Sequence, residues 1–169
     1  MSITPHVDPS LDLTFERVID VLPQQVWDAW TQPEQLMPWF CPLPWKTVAC
    51  TIDLKPGGEF YTMMRSPEGQ EFPNTGCYLE IVPNQKLVWT NALAPGFRPV
   101  ERPAANPDHE CAELLFTGII FLEPHASGTR YRAMAMHTDK DSRARHAAMG
   151  FEEGWGAALD QMIAMIKAK

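Results

Sequence analysis

Basic residues are scarce in this chain. Lys and Arg number 14 against 21 Asp and Glu over 169 residues, a formal net charge of −7. That deficit argues against a general nucleic-acid binder, which needs a basic footprint, and gives no support to docking on an anionic membrane surface. No apolar run approaches the roughly 20 residues that span a bilayer. The opening stretch MSITPHVDPSLDLTFERV lacks both a basic n-region and an apolar h-region, so no secretion signal is read and a cytoplasmic protein is expected. Cysteines are few: Cys41, Cys50, Cys77 and Cys111 form no C-x-x-C pair, which fits small buried thiols in a reducing compartment. His109 and Cys111 sit in DHEC without a second ligand pair, so no metal site is assigned. G-x-S-x-G, H-E-x-x-H and a glycine-rich phosphate loop are all missing. No cofactor and no catalytic residue are therefore expected.

What is present alternates between strand and turn. Residues 1–10 are polar, with two prolines, and read as a loose tail; 11–169 read as one domain. LDLTFERVIDV predicts a first strand. Pro23 and Pro33 each suit the first turn of a helix, predicting PQQVWDAW and PEQLMPWF as two short ones. Strand patterns follow from Trp45. WKTVACTIDL runs into the turn Lys55-Pro56-Gly57-Gly58, and EFYTMMR then alternates Phe60, Thr62 and Met64 against Tyr61 and Met63. NTGCYLEIV and KLVWTNAL flank Pro83-Asn84-Gln85. Residues 94–111, with Pro95, Pro99, Pro103 and Pro107, show no period and read as a long loop. AELLFTGIIFLE is apolar on both faces and TRYRAMAMHT follows it. Short links between strands predict an antiparallel sheet, and a closing helix makes the class α+β.

That closing helix is predicted to start near Thr138 or Asp139 and to run on through MGFEEGWGAALDQMIAMIKAK. Ala148, Phe151, Trp155, Leu159, Met162 and Ile166 share one stripe at 100° per residue. Gly150 and Gly154 border the stripe, although each glycine in a helix interior costs about 1 kcal/mol relative to alanine. Either they admit close packing or they leave space beneath the helix.

The ordered set FERVIDVLPQQVWDAWTQPEQLMPWF, DLKPGGEFYTMM, SPEGQEFPNTGCYLEIVPNQKLVWT and GFEEGWGAALDQM carries a resemblance over residues 11–167. The chain resembles single-domain proteins related to the C-terminal domain of the activator of heat-shock-protein-90 ATPase, within the START-like (SRPBCC) superfamily. The resemblance implies a helix-grip fold, a curved seven-stranded antiparallel sheet around the C-terminal helix with a cavity between them. It also implies a link to stress response and, through the family name, a chaperone as partner. It assigns no reaction, because the superfamily includes lipid and hormone binders, cyclases and chaperone activators.

Within that frame Trp39, Phe40, Phe60, Met64, Tyr78, Trp89, Phe116, Met134, Met136, Phe151, Trp155 and Met162 are the candidate cavity lining. Nine methionines suit irregular apolar ligands. Arg65, Glu80, Arg132 and His137 are the candidate polar cavity groups, and Phe97 the candidate gate on the 94–111 loop. The expected function is binding of a small apolar or aromatic molecule. The alternatives are a cyclase or hydrolase using His137, Glu80 or Arg132 on that molecule, which requires at least two of those groups to converge, and a chaperone cofactor acting through its surface.

Overall fold

Prolines set the two early helices: Pro23 opens α1 (Pro23–Thr31) and Pro33 opens α2 (Pro33–Leu36), where their missing N–H groups have no intrahelical partner to lose. Both follow β1 (Asp12–Ile19). The structure, a computed structural model, describes residues 3–101 and 114–169. The remaining elements are β2 (Lys46–Ile52), β3 (Glu59–Arg65), β4 (Glu71–Val82), β5 (Lys86–Thr90), β6 (Leu93–Ala94), β7 (Arg98–Pro99), β8 (Phe116–His125), β9 (Gly128–His137), α3 (Lys140–Ala148) and α4 (Phe151–Lys167).

Seven strands form one antiparallel sheet in the order β1-β9-β8-β5-β4-β3-β2. The register slips between Thr47 and Ala49 and between Tyr78 and Glu80, and bulges of this kind bend a strand. One face of the sheet carries α1, α2 and α4. Val26, Trp30, Leu36, Leu159 and Met162 from those helices bury themselves against Phe60, Tyr78, Leu87, Trp89, Ile120, Leu122 and Tyr131 from the strands. This is the helix-grip architecture that the motifs implied.

Two elements differ from the sequence reading. Residues 93–99 are not plain loop: β6 and β7 pair as a small hairpin, closed around Gly96 and Phe97, both at positive φ. Residues 102–111, with His109 and Cys111, lie outside the described residues. The closing helix is two helices. Gly150 takes φ 84°, a left-handed conformation that ends α3 and leads into α4, so it stands between helices and incurs no interior penalty. Gly154 and Gly156 remain inside α4. A Cβ added to them would lie 3.8 Å from Pro42 and 3.7 Å from Phe15. These are ordinary contact distances, so both glycines sit against packed neighbours.

Candidate functional site

Six rings meet on the helix-covered face, drawn from four elements and the α2–β2 connection. Trp30 of α1 lies 4.9 Å from Trp39, 5.2 Å from Trp89 and 5.7 Å from Phe40, centroid to centroid. Phe60 of β3 stacks on Tyr78 of β4 at 5.2 Å and meets Phe40 at 5.7 Å and Trp89 at 5.8 Å. Most of these pairs are edge-on or tilted, as the ring quadrupoles favour. Trp39, Phe40, Phe60, Tyr78 and Trp89, all candidates for a cavity lining, are thus brought together with their rings in mutual contact. Trp30 completes the set. Only the fold shows it at the centre of the cluster.

Tyr78 is held from behind by the glycine turn. Gly57 N–H donates to the Tyr78 carbonyl at 2.7 Å, and Tyr78 N–H donates to the Gly58 carbonyl at 3.0 Å. The tight form of that turn requires glycine: a Cβ on Gly58 would stand 1.9 Å from the Asp53 carbonyl oxygen. Phe97, half-exposed, rests its ring on Gly57, and Gly96 N–H donates to the Gly57 carbonyl at 2.7 Å. Tyr78 is 0% exposed, and its hydroxyl has no hydrogen-bond partner among the described residues. Burial pushes that phenol far above its ordinary pKa, so it is a neutral O–H, a donor with nothing to donate to. The Trp30 indole N–H is also buried without a hydrogen-bond partner among the described residues; it faces the Tyr131 hydroxyl without reaching hydrogen-bond geometry. Trp39, by contrast, donates to the Ala29 carbonyl at 3.2 Å. Near the phenol, burial and the Glu34 charge raise the Cys50 thiol to about 11, so it too stays neutral.

The remaining candidates scatter. Met134 packs with Val88, Ile119 and Phe121, with Met136 alongside, on the face of the sheet away from α4. Arg132 lies over the Phe121 ring at 4.7 Å on that same face and reaches Glu123 at 3.4 Å. Glu80 accepts from Lys86 at 2.9 Å, and Lys86 is also over Phe121. Arg65 pairs with Glu71 at 2.9 Å at an exposed strand end. Strand alternation sets these sides: Tyr131 and Ala133 face the helices, so Arg132 and Met134 cannot. Only His137 of the four polar candidates looks toward the helices. The convergence required by the enzyme alternative is not formed by these groups. Phe151 and Trp155 form a third, smaller cluster with Leu13 and Ala135. Phe116, Met136 and His137 border an open hollow of about 230 Å³.

His137 has a partner that the sequence did not suggest. Its Nδ1 lies 2.8 Å from the Leu11 carbonyl, which can only accept, so Nδ1 carries the proton. Its Nε2 lies 2.9 Å from Nδ1 of His146, which donates in turn. His146 and Ser142 are the buried residues of α3. The His146 ring touches Phe116 at 5.0 Å and Phe151 at 5.2 Å. Burial, then the neighbouring His137, lowers the His146 pKa to about 4; burial also lowers that of His137, against an opposing pull from Leu11, Asp12 and Asp139. In the unfolded chain a histidine takes its proton near pH 6.5. Between about pH 6.5 and 4 the unfolded state therefore binds protons that folded His146 refuses, and stability falls with pH across that window, by on the order of 3 kcal/mol at its lower end. Urea midpoints of wild type and His146→Phe should diverge at pH 7 and converge toward pH 4.5. Parallel pH profiles for the two proteins would show that the pair does not set the acid limb.

A second hollow lies beside the sheet–helix interior. The segment from Met37 to Trp45 crosses from α2 to β2 and is tied to α4 by Gln161. The Gln161 amide donates to the Cys41 carbonyl at 2.9 Å and accepts from Leu43 N–H at 2.9 Å. Against this strap is a hollow of about 350 Å³ bordered by Met37, Pro38, Cys41, Leu43, Trp45, Lys46 and Thr47. None of these residues was among the expected lining.

The profile of the Activator of Hsp90 ATPase homolog 1-like protein family matches residues 20–167. A crystal structure of a protein from Nitrosomonas europaea is 44% identical, with 96% of this chain and 97% of that one covered and a TM-score of 0.86. A crystal structure of a protein from Rhodobacter sphaeroides shares the fold at 20% identity, 97% and 98% coverage and a TM-score of 0.78. The solution structure of an AHSA1-like protein from Aeromonas hydrophila shares it at 18% identity, 94% and 93% coverage and a TM-score of 0.63. No curated protein matches the chain. Among the described residues no helix is long and apolar enough to cross a membrane.

Proposed function

This chain belongs to the Activator of Hsp90 ATPase homolog 1-like protein family, and from that premise we propose that it binds a small apolar or aromatic molecule between the sheet and α4, against the ring cluster. The observation that carries this reading is the Tyr78 hydroxyl, buried among rings with no partner among the described residues. A buried donor left unmade costs about 1–3 kcal/mol, and such exceptions call for a reason. A ligand that brings one hydrogen-bond acceptor into the cluster supplies the missing partner, while the rings supply its apolar walls. The rings touch when no ligand is present, so entry requires one to turn aside. Phe40 is suited to this, being only partly buried and at the strap side of the cluster. Binding then proceeds by selecting or stabilising the opened arrangement.

Tyr78→Phe separates this role from packing, because it removes the hydroxyl and keeps the stacked ring. The unliganded variant should be more stable than wild type by about 1 kcal/mol, since an unsatisfied donor has gone. An aryl ketone, followed by tryptophan fluorescence, should bind the variant about tenfold more weakly, whereas the matching aryl hydrocarbon should bind both alike. Equal ketone affinity for the two proteins would end this reading of Tyr78. Native mass spectrometry of freshly purified protein would identify a ligand carried through purification.

A further inference from the structure

The hollow at the α2–β2 strap has features that packing alone does not explain. It is preformed, because Gln161 fixes the strap at Cys41 and Leu43 and the Cys41 thiol lies 3.4 Å from the Thr47 hydroxyl. Its border includes the large apolar side chains of Met37, Leu43 and Trp45. Leu43 is 66% exposed there, although a large aliphatic side chain gains about 1.5–3 kcal/mol from full burial. Trp45 is braced from behind by Phe72 at 5.4 Å. The border's single charge is Lys46, exposed and without an ion-pair partner among the described residues. Arg65, opposite it on β3, is already taken by Glu71.

We propose that this hollow is a binding site for a small apolar carboxylate, its hydrocarbon part laid against Met37, Leu43 and Trp45 and its carboxylate on the Lys46 ammonium. The volume of about 350 Å³ falls at the lower end of the roughly 300–1,000 Å³ typical of small-molecule sites. A stable protein partner would instead need about 800 Å² of surface on each side. One unpaired cation matches a monoanion. The net charge of −7 repels anions at long range, but at physiological salt the screening length is about 8 Å, so the local lysine governs the contact. The site stands apart from the interior reading: none of its border residues belongs to the ring cluster.

Octanoate, octanol and octylamine titrated into the intact chain test it, with NMR resonances of the Met37 methyl and Trp45 indole as local reporters and those of Tyr78 and Trp89 as interior ones. Octanoate should bind about fivefold more tightly than octanol, the ceiling for an exposed ion pair, and octylamine most weakly. Added salt should narrow that gap. Lys46→Gln should bring octanoate down to the octanol affinity, and Leu43→Glu should abolish binding of octanoate and octanol with an unchanged denaturation midpoint. Shifts confined to Met37 and Trp45 support the site. Octanoate binding no tighter than octanol, failure of all three to bind up to their solubility, or shifts confined to Tyr78 and Trp89 would each overturn it. The last of these outcomes would at the same time favour the interior reading.

Discussion

Replacing Trp30 with alanine is expected to lower stability by about 3–5 kcal/mol, the cost of deleting a large buried aromatic side chain. Trp30 is 3% exposed and touches Trp39, Phe40 and Trp89. These neighbours come from the α2–β2 strap and from β5, so the lost indole would leave a cavity bounded by elements that cannot collapse together. Its unpartnered N–H offsets a little of this, because removing an unsatisfied donor is favourable. Trp155 gives the contrast. It lies at the centre of the α4 stripe, yet it is only partly buried and its close ring neighbour is Phe151 at 4.8 Å. Trp155→Ala should therefore cost clearly less. Chemical denaturation of the two variants decides the matter: a Trp30→Ala midpoint shifted no further than that of Trp155→Ala would refute the ranking.

Gly118→Ala is the second large effect. Gly118 lies on β8 directly opposite Trp89 on β5. An added Cβ would stand 2.5–2.8 Å from three atoms of the Trp89 indole, well inside contact. Trp89 has little room to yield, since Trp30 and Phe60 hold its ring at 5.2 and 5.8 Å. Overpacking of this kind costs about 1–3 kcal/mol, and the strain would spread through the ring cluster. The methyl group should be far better tolerated when the indole is also replaced. A cycle of Gly118→Ala, Trp89→Leu and the double variant should show a favourable coupling of about 1 kcal/mol or more. Strict additivity would mean that Gly118 matters for strand conformation rather than for the space it leaves to Trp89. Either substitution should also weaken binding of an apolar ligand in the cluster.

Much of this molecule is written in short stretches. Pro23 and Pro33 start helices because a fixed φ and a missing N–H are tolerated only in a first turn. Pro56-Gly57-Gly58 turns the chain because no side chain fits beside the Asp53 carbonyl. Phe60 and Thr62 share a buried face by strand alternation, and Phe151, Leu159, Met162 and Ile166 share the buried side of α4 by helical period. Each depends on residues a few positions apart, so each can be read without the fold, and their order along the chain carried the family resemblance. Tertiary structure alone decided the rest. Alternation predicts that Arg132 and Met134 lie opposite Tyr131 and Ala133, but not which pair meets the helices; β8, apolar on both faces, gives no preference. By period Ala148 falls in phase with Phe151 to Ile166, yet it is exposed at the end of α3, because the left-handed turn at Gly150 breaks one helix into two. His137 and His146 meet because α3 folds back on β9. Leu43 and Lys46 border a hollow because Gln161, more than a hundred residues later, holds the strap in place. Periodicity and turn chemistry act locally, whereas the choice of face, partner and hollow is made by packing between segments distant in the chain.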